Sequence, residues 1–351
     1  MGRRQIELRA CGTGSLKLPV LGIGCWSFGG GDYWGDQSQQ EVDSVVGAAL
    51  DAGCSYFDTA EVYNDGRSEE SLGLALGRRR HEAIIGSKVS PDHTRPSDLR
   101  ASCDASLRRI GTDYIDVYMI HWPINPVSLK HYTGKIESPD LMPNTEHAFE
   151  TLVELKKEGK IRHIGVSNFG PTQLSDIEGH DIAVNQVCYN LLSRAIEFEI
   201  LPICSERNIG VLGYMPLLQG ILTGKFASIE EIPRQRTRTR HFSGYREGSR
   251  HGEKGYEALV ECALAAIETV AVESGVSMLD LALAWSVAGK GVTCTITGVR
   301  NVAQLDRSIQ AATTALGKEI LLSLDNATEE LKQAMGASPD VFEAAAESRI
   351  F

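Results

Sequence analysis

A (β/α)8 TIM barrel is the fold class this sequence predicts, on three observations. Short β-rich apolar runs alternate eight times with longer amphipathic segments. The 351 residues are enough for one such barrel. Polar residues gather at the C-terminal ends of the apolar runs, where parallel barrels place their chemistry.

The first run, PVLGIGC (19–25), precedes a segment over 38–52 with Val42, Val45, Val46 and Ala49 at helical spacing. SYFDTA (55–60) is the second run, followed by a helix over 68–76 with Ser68 as its N-cap. AIIGSKV (83–89) and a helix over 97–110 make the third unit, YIDVYMIH (114–121) and 147–158 the fourth. IRHIGVSN (161–168) starts the fifth unit, and IAVNQVCYN (182–190) starts the sixth, with a helix near 197–207. IGVLGYMPL (209–217) starts the seventh, and VTCTITGV (292–299) with a helix over 302–312 completes the eighth.

Three additions surround this core in what reads as one domain. Residues 5–18 alternate apolar and polar around Gly12-Thr13-Gly14, the pattern of a hairpin that plugs the barrel bottom. The barrel itself spans about 19–315, and a C-terminal helix and tail occupy about 316–351. Past Met335 the expectation is a peripheral helix or a partly mobile end. Two long βα insertions, 124–146 and 226–256, follow strand ends and overhang the same face; long βα loops are more often functional than ornamental. The second carries arginines at 234, 236, 238, 240, 246 and 250, either a solvated loop or a phosphate-related one.

Composition narrows the partners. The net charge of -11 argues against nucleic acid or an anionic membrane surface. No stretch of about 18 apolar residues predicts a membrane span. The N-terminus lacks the apolar core of a secretory signal and the Ser or Thr a myristoylation site needs where Ile6 stands. The cytoplasm is the default location. The eight cysteines are scattered without a CxxC pair and read as buried free thiols; no Cys/His cluster has the spacing of a metal site. No motif speaks to oligomeric state.

GIGCWSFGGG (22–31) looks like a Rossmann dinucleotide loop, but such a loop must run straight into a helix N-terminus, and Asp32-Tyr33-Trp34-Gly35-Asp36 intervenes. It reads better as an aromatic loop beside a substrate.

The chemistry concentrates on four residues. Asp58 ends the second run, Lys88 the third and His121 the fourth, with Tyr63 in the loop five residues past Asp58. A phenol titrates near pH ~10. A nearby ammonium lowers that value, and a carboxylate keeps the ammonium charged. Lys88 and Asp58 can play those parts, with His121 donating to a carbonyl oxygen. The set suits proton delivery to a developing alkoxide while a nicotinamide supplies the hydride.

With those residues in hand, the sequence resembles the aldo-keto reductase superfamily. GCSYFDTAEVYNDGRSE (53–69), IIGSK before the third loop and HWP (121–123) match the family's Asp, Tyr, Lys and His segments. The resemblance covers about 15–335 and implies a tetrad of Asp58, Tyr63, Lys88 and His121. GVSNF (165–169) and QxxYN (186–190) imply Ser167, Asn168 and Gln186 on the nicotinamide carboxamide. YMPL (214–217) implies Tyr214 stacked on the ring, with Pro216 and Leu217 beside it. GxLTGK (220–225) implies Gly220, Leu222, Gly224 and Lys225 over the pyrophosphate. TGVRNVAQLDRS (297–308) implies Gly298, Arg300, Gln304 and Ser308 at the adenosine end. Thr297 stands where the family usually has proline, and Ser308 where Asn is common. Arg300 favours NADP(H) by pairing with a 2′-phosphate, Arg307 either assists or faces solvent, and NAD(H) stays possible.

For substrate, Trp26, Phe28, Trp34 and Trp122 would line an aromatic wall, or simply pack. The expectation is a small-molecule aldehyde, ketone or sugar carbonyl, reduced or formed in reverse. Two rivals stay open: a redox-sensing nicotinamide-binding regulatory subunit, and a lyase with Lys88 as a Schiff base.

Overall fold

A parallel strand covered by helices must be apolar on both faces, and the runs singled out above meet that demand. The computed structural model describes residues 6–12, 14–135, 142–289 and 291–351. A short hairpin comes first, β1 (Leu8–Ala10) antiparallel to β2 (Lys17–Pro19). Residues Gln5 and Thr13 of the expected hairpin lie outside the described residues. The barrel strands are β3 (Leu21–Gly24), β4 (Tyr56–Asp58), β5 (Ile84–Val89), β6 (Ile115–Ile120), β7 (Ile161–Ser167), β8 (Ile182–Cys188), β9 (Gly210–Tyr214) and β10 (Val292–Gly298). They pair in parallel and close in the order β10-β3-β4-β5-β6-β7-β8-β9, the (β/α)8 TIM barrel the alternation predicts.

Around it run α1 (Gln39–Ala52), α2 (Arg67–Leu76), α3 (Pro96–Ile110), α4 (Pro126–Thr133), α5 (Thr145–Lys157), α6 (Pro171–Asp176), α7 (Ile200–Glu206), α8 (Glu257–Ser274), α9 (Met278–Ala288), α10 (Val302–Ala312) and α11 (Lys318–Met335). In α1 the stripe Val42, Val45, Val46 and Ala49 is fully buried. Its start is fixed by a capping box in which Ser38 and Glu41 satisfy each other's backbone N–H. Ser68 is not an N-cap: α2 begins at Arg67 behind Gly66, and the buried Ser68 hydroxyl donates to Cys25 O at 2.7 Å. Two helices, α8 and α9, fill the stretch between β9 and β10 where the sequence pattern suggested none.

The hairpin does plug the strand N-termini. Cys11, Leu16 and Leu18 share an apolar cluster with Tyr56, Val117, Met119, Ala183, Val184, Leu212, Cys294 and Ile296. Tyr56 fits inside the barrel because its neighbours are bare. A Cβ on Gly22 would sit 2.7 Å from its ring, and one on Gly86 2.2 Å from its Oη. Among the described residues no single helix is long and apolar enough to cross a membrane. Seven of the eight cysteines are buried free thiols, Cys262 being exposed.

This packing predicts that Gly86→Ala lowers the unfolding free energy by about 1–3 kcal/mol. Denaturant titration should show a smaller loss in a Tyr56→Phe background, because the offending oxygen is gone; equal losses in both backgrounds would contradict the clash.

Candidate active site

Asp58 is the last residue of β4, Lys88 the penultimate residue of β5, and His121 follows β6 directly. Three adjacent strands therefore deliver a carboxylate, an ammonium and an imidazole to one mouth. Tyr63 reaches it from the loop between β4 and α2. That loop reverses through Asn64, Asp65 and Gly66, all at positive φ (53°, 56° and 85°). Asn and Asp tolerate that region better than other side chains and Gly enters it freely. Asn64 also fastens the loop, its Nδ2 donating to Trp26 O at 2.8 Å and Phe28 O at 2.9 Å.

Lys88 is completely buried and its ammonium spends all three donors: on the Asp58 carboxylate at 2.9 Å, Thr59 O at 2.8 Å and Tyr63 Oη at 3.2 Å. Burial pushes its pKa down and Asp58 opposes that. Three acceptors around one nitrogen suit an ammonium and leave no lone pair to attack a carbonyl, which disfavours the Schiff-base alternative. Gln186 donates to Asp58 from the far side at 2.6 Å. Its amide is thus part of the ion-pair cage, a role the sequence reading did not foresee.

The expected lowering of Tyr63 is not what the site produces. Burial first, then the Asp58 carboxylate and Cys25, push the phenol well above its ordinary value. Desolvation of the phenolate outweighs the ammonium, so Tyr63 holds its proton at neutral pH. His121 is pushed well below its ordinary value by burial, then by Lys88, Arg349 and His131, and is neutral. Its Nδ1 has no partner among the described residues, and its ring lies 5.6 Å from that of Tyr63, nearly perpendicular. A protonated phenol and a neutral imidazole, side by side over a buried ammonium, can together hold and protonate an oxygen that gains charge.

Beside the tetrad, the ends of β7, β8 and β9 bring Ser167, Asn168, Gln186 and Tyr214 together. Asn168 sits at φ 63° and its Nδ2 donates to His121 O at 3.1 Å and Ser167 Oγ at 3.0 Å, while the Tyr214 hydroxyl donates to Asn168 Oδ1 at 2.8 Å. After Pro216 and Leu217 the chain makes left-handed turns at Leu218, Gln219, Gly220 and Gly224. A Cβ on Gly220 would lie 3.2 Å from Lys225 Nζ and 3.3 Å from an Arg236 Nη. Two cations converging on a bare glycine fit a pyrophosphate. Leu222 is fully buried in the core and presents only backbone to that cradle.

At the adenosine end, Gly298 is open and the Arg300 N–H donates to Gln304 Oε1 at 2.9 Å. The Arg300 guanidinium donates to Trp34 O and Asp36 O, tying the first loop down. Ser308 is buried and its hydroxyl donates back to Gln304 O at 2.9 Å. Arg307 pairs with Asp280 at 2.9 Å.

The aromatic wall differs from expectation in two residues. Phe28 is fully buried in the apolar cluster between the strands and the surrounding helices rather than presented to the mouth. Tyr33, not foreseen, stacks on Trp26 at 5.0 Å and meets Trp34 edge-on at 4.8 Å, while Trp26 lies 6.0 Å from Tyr63. Trp122 is buried under the C-terminal tail. That tail is not a peripheral helix: apart from one 3-10 turn at Ala345–Glu347 it is irregular, and Arg349 is buried, pairs with both oxygens of Asp340 at 2.7 and 2.8 Å, and lays its guanidinium 3.5 Å over the Trp122 ring. The 124–146 insertion contributes α4, whose N-cap Asn125 donates to Arg349 O at 2.8 Å; residues 136–141 lie outside the described residues. The arginine run divides: Arg240 pairs with Glu253, Arg246 with Glu257, Arg234 with Glu247 in solvent, and Arg236 joins the glycine cradle.

The model of the aldo/keto reductase family matches residues 20–329. The chain is 34% identical over 234 residues to an NADH-specific methylglyoxal reductase of Escherichia coli, covering 61% of this chain and 68% of that one. Its fold is similar to an aldo-keto reductase from Klebsiella pneumoniae in complex with NADPH (TM-score 0.68, 27% identity, 92% and 95% of the two chains). It is also similar to the glycerol dehydrogenase from Gluconobacter oxydans (TM-score 0.73, 27% identity, 94% and 96%).

The ion-pair geometry predicts that Lys88→Met lowers the unfolding free energy by about 3–5 kcal/mol, since it strands the Asp58 carboxylate in the core. Denaturant titration checks it, and a loss under about 1 kcal/mol would contradict the pairing.

Proposed function

We propose that this chain, which belongs to the aldo/keto reductase family and is an NAD(P)H-dependent oxidoreductase, reduces an aldehyde, ketone or sugar carbonyl with Tyr63 as general acid, or runs the reverse oxidation. The observation that carries the reading is the stack of Asp58, Lys88 and Tyr63, linked by hydrogen bonds of 2.9 and 3.2 Å beside neutral His121.

Ser167, Asn168 and Tyr214 would hold the nicotinamide end of a bound cofactor, which would supply the hydride. The chain's own residues do the rest. Tyr63 Oη and His121 hold the carbonyl oxygen between them. As charge develops on that oxygen, the phenol donates its proton, and the resulting phenolate is held by the Lys88 ammonium at 3.2 Å. Asp58 keeps that ammonium charged, and Gln186 and Thr59 O keep both groups in place. Trp26, Tyr33 and Trp34 close over the mouth and exclude water.

The fit to the cofactor rests on the glycine cradle and on the Ser167–Asn168–Tyr214 cluster. Lys225 and Arg236 take the pyrophosphate, and Ser167, Asn168 and Tyr214 the nicotinamide end. Arg300 exchanges its two loop carbonyls for a 2′-phosphate, which favours NADP(H). The NADH-specific relative keeps NAD(H) in play. Buried free thiols suit a reducing cytoplasm.

The test is a Tyr63→Phe variant assayed with a generic aromatic aldehyde, alongside fluorescence titration with NADPH and NADH. NADPH should bind wild type and variant equally, more tightly than NADH, while turnover falls by about 10²–10⁴-fold. Turnover within about tenfold of wild type would overturn the acid role.

A further inference from the structure

A second cationic site adjoins the mouth and takes no part in the mechanism above. We propose that the cavity of about 260 Å³ lined by Trp122, His131, Arg238, Arg250, Phe342 and Arg349 is an anion subsite, which holds a carboxylate or phosphate carried by the same molecule as the reacting carbonyl. The inference rests on the reductase reading and names its substrate class.

Charge comes first. Three guanidiniums line this cavity. Arg349 is neutralised by Asp340, with both carboxylate oxygens engaged. Arg250 has its Nε on Glu343 at 2.8 Å and an Nη 3.1 Å from His131 Nδ1. Arg238 has no carboxylate partner among the described residues; its guanidinium rests 5.0 Å over the Tyr33 ring. Three cations against two anions leave one positive charge in excess, and Arg238 carries it. The local field is visible in His131, pushed down to about 4 by burial and by Arg250 and Arg349. His131 is therefore neutral and adds a hydrogen-bonding group without cancelling the cations.

Position comes second. Trp122 is the residue after His121 and forms the cavity's floor under Arg349. Tyr132, next to His131, has its ring 6.5 Å from that of His121. The cavity thus approaches His121 on two sides, through Trp122 and through Tyr132 beside His131, and Trp122 and Phe342 give it apolar surface. This site is separate from the cofactor cradle: Lys225, Arg236 and Arg300 do not line it. Guanidinium is the group best matched to a carboxylate or phosphate, through paired N–H donors. Apart from Trp122, which follows β6, the cavity is built by α4, the arginine insertion and the C-terminal tail, all outside the barrel itself.

The experiment compares paired substrates that differ only in the anion: 4-oxobutanoate against butanal, and glyceraldehyde 3-phosphate against glyceraldehyde. For each, kcat/KM with NADPH is measured in wild type and Arg238→Gln. Calorimetric binding of the non-reacting anions succinate and glycerol 3-phosphate is measured on the same two proteins. Wild type should prefer the anionic member of at least one pair by about tenfold or more, and the pair tells whether the group is carboxylate or phosphate. That preference, and binding of the matching anion, should fall by a similar factor in Arg238→Gln. If no aldehyde is turned over but anion binding depends on Arg238, the reductase reading fails and the subsite stands. If the members of both pairs react equally, or if neither anion shows Arg238-dependent binding, the subsite is overturned while the reductase reading is untouched.

Discussion

The buried contact between Asp58 and Lys88 is the constraint on which the rest of the site depends. Taking a carboxylate and an ammonium out of water costs several kcal/mol per ion, repaid only when geometry is good and the remaining donors and acceptors are satisfied. Here they are: Lys88 has Asp58, Thr59 O and Tyr63, and Asp58 has Lys88 and Gln186. Such a cage needs its members on rigid neighbours. Adjacent parallel strands β4 and β5 supply the pair, β8 supplies Gln186 from across the barrel, and the tight turn at Asn64–Gly66 sets Tyr63 above. The barrel is then a device for holding a buried charge, and in the proposed reaction the Tyr63 phenol is the group through which that charge acts on the carbonyl.

The mouth has two cationic flanks with different owners. Lys225 of the glycine cradle, and Arg300 beyond it, belong to barrel loops that follow β9 and β10, while Arg236 reaches the cradle from the start of the 226–256 insertion. Arg238, Arg250 and Arg349 belong to an insertion and a tail that no barrel needs for closure. Tyr33 stands between the flanks: its hydroxyl donates to Gln219 Oε1 at 2.6 Å on one side, and its ring faces Arg238 on the other. The first loop, tied down through Arg300 and Gln37, therefore lies against both groups of cations and, through Trp26, against Tyr63. An overall charge of -11 says nothing of this. Local potential is set by which carboxylates reach which guanidiniums, and here Arg238 has none among the described residues.

Much of this was legible in the sequence because strand ends in a parallel barrel are close in space whenever their strands are neighbours. The apolar runs ending in Asp58, Lys88 and His121 could only converge, and Tyr63, five residues past Asp58, falls in the loop above them. What was not legible depends on packing between distant segments. Phe28 looks like any loop aromatic until the fold buries it. The helices α8 and α9 went unread because their apolar residues do not keep to one stripe; α9 is buried along Leu281–Val287. The tail carries no pattern at all, yet Asp340 and Arg349 fold it onto Trp122. The direction of the Tyr63 shift failed for a related reason: spacing reveals the ammonium beside the phenol but not the depth at which both are buried.

The most direct test of the ion-pair account is the pH dependence of kcat for carbonyl reduction in wild type and Asp58→Asn. Without the carboxylate, the largest opposition to the burial of Lys88 is gone, so the lysine loses its proton at lower pH and no longer supports the phenolate. The account predicts that the alkaline limb of kcat moves to lower pH by at least about one unit in Asp58→Asn. A limb that stays in place would mean that Lys88 keeps its charge without Asp58, and would contradict the central claim.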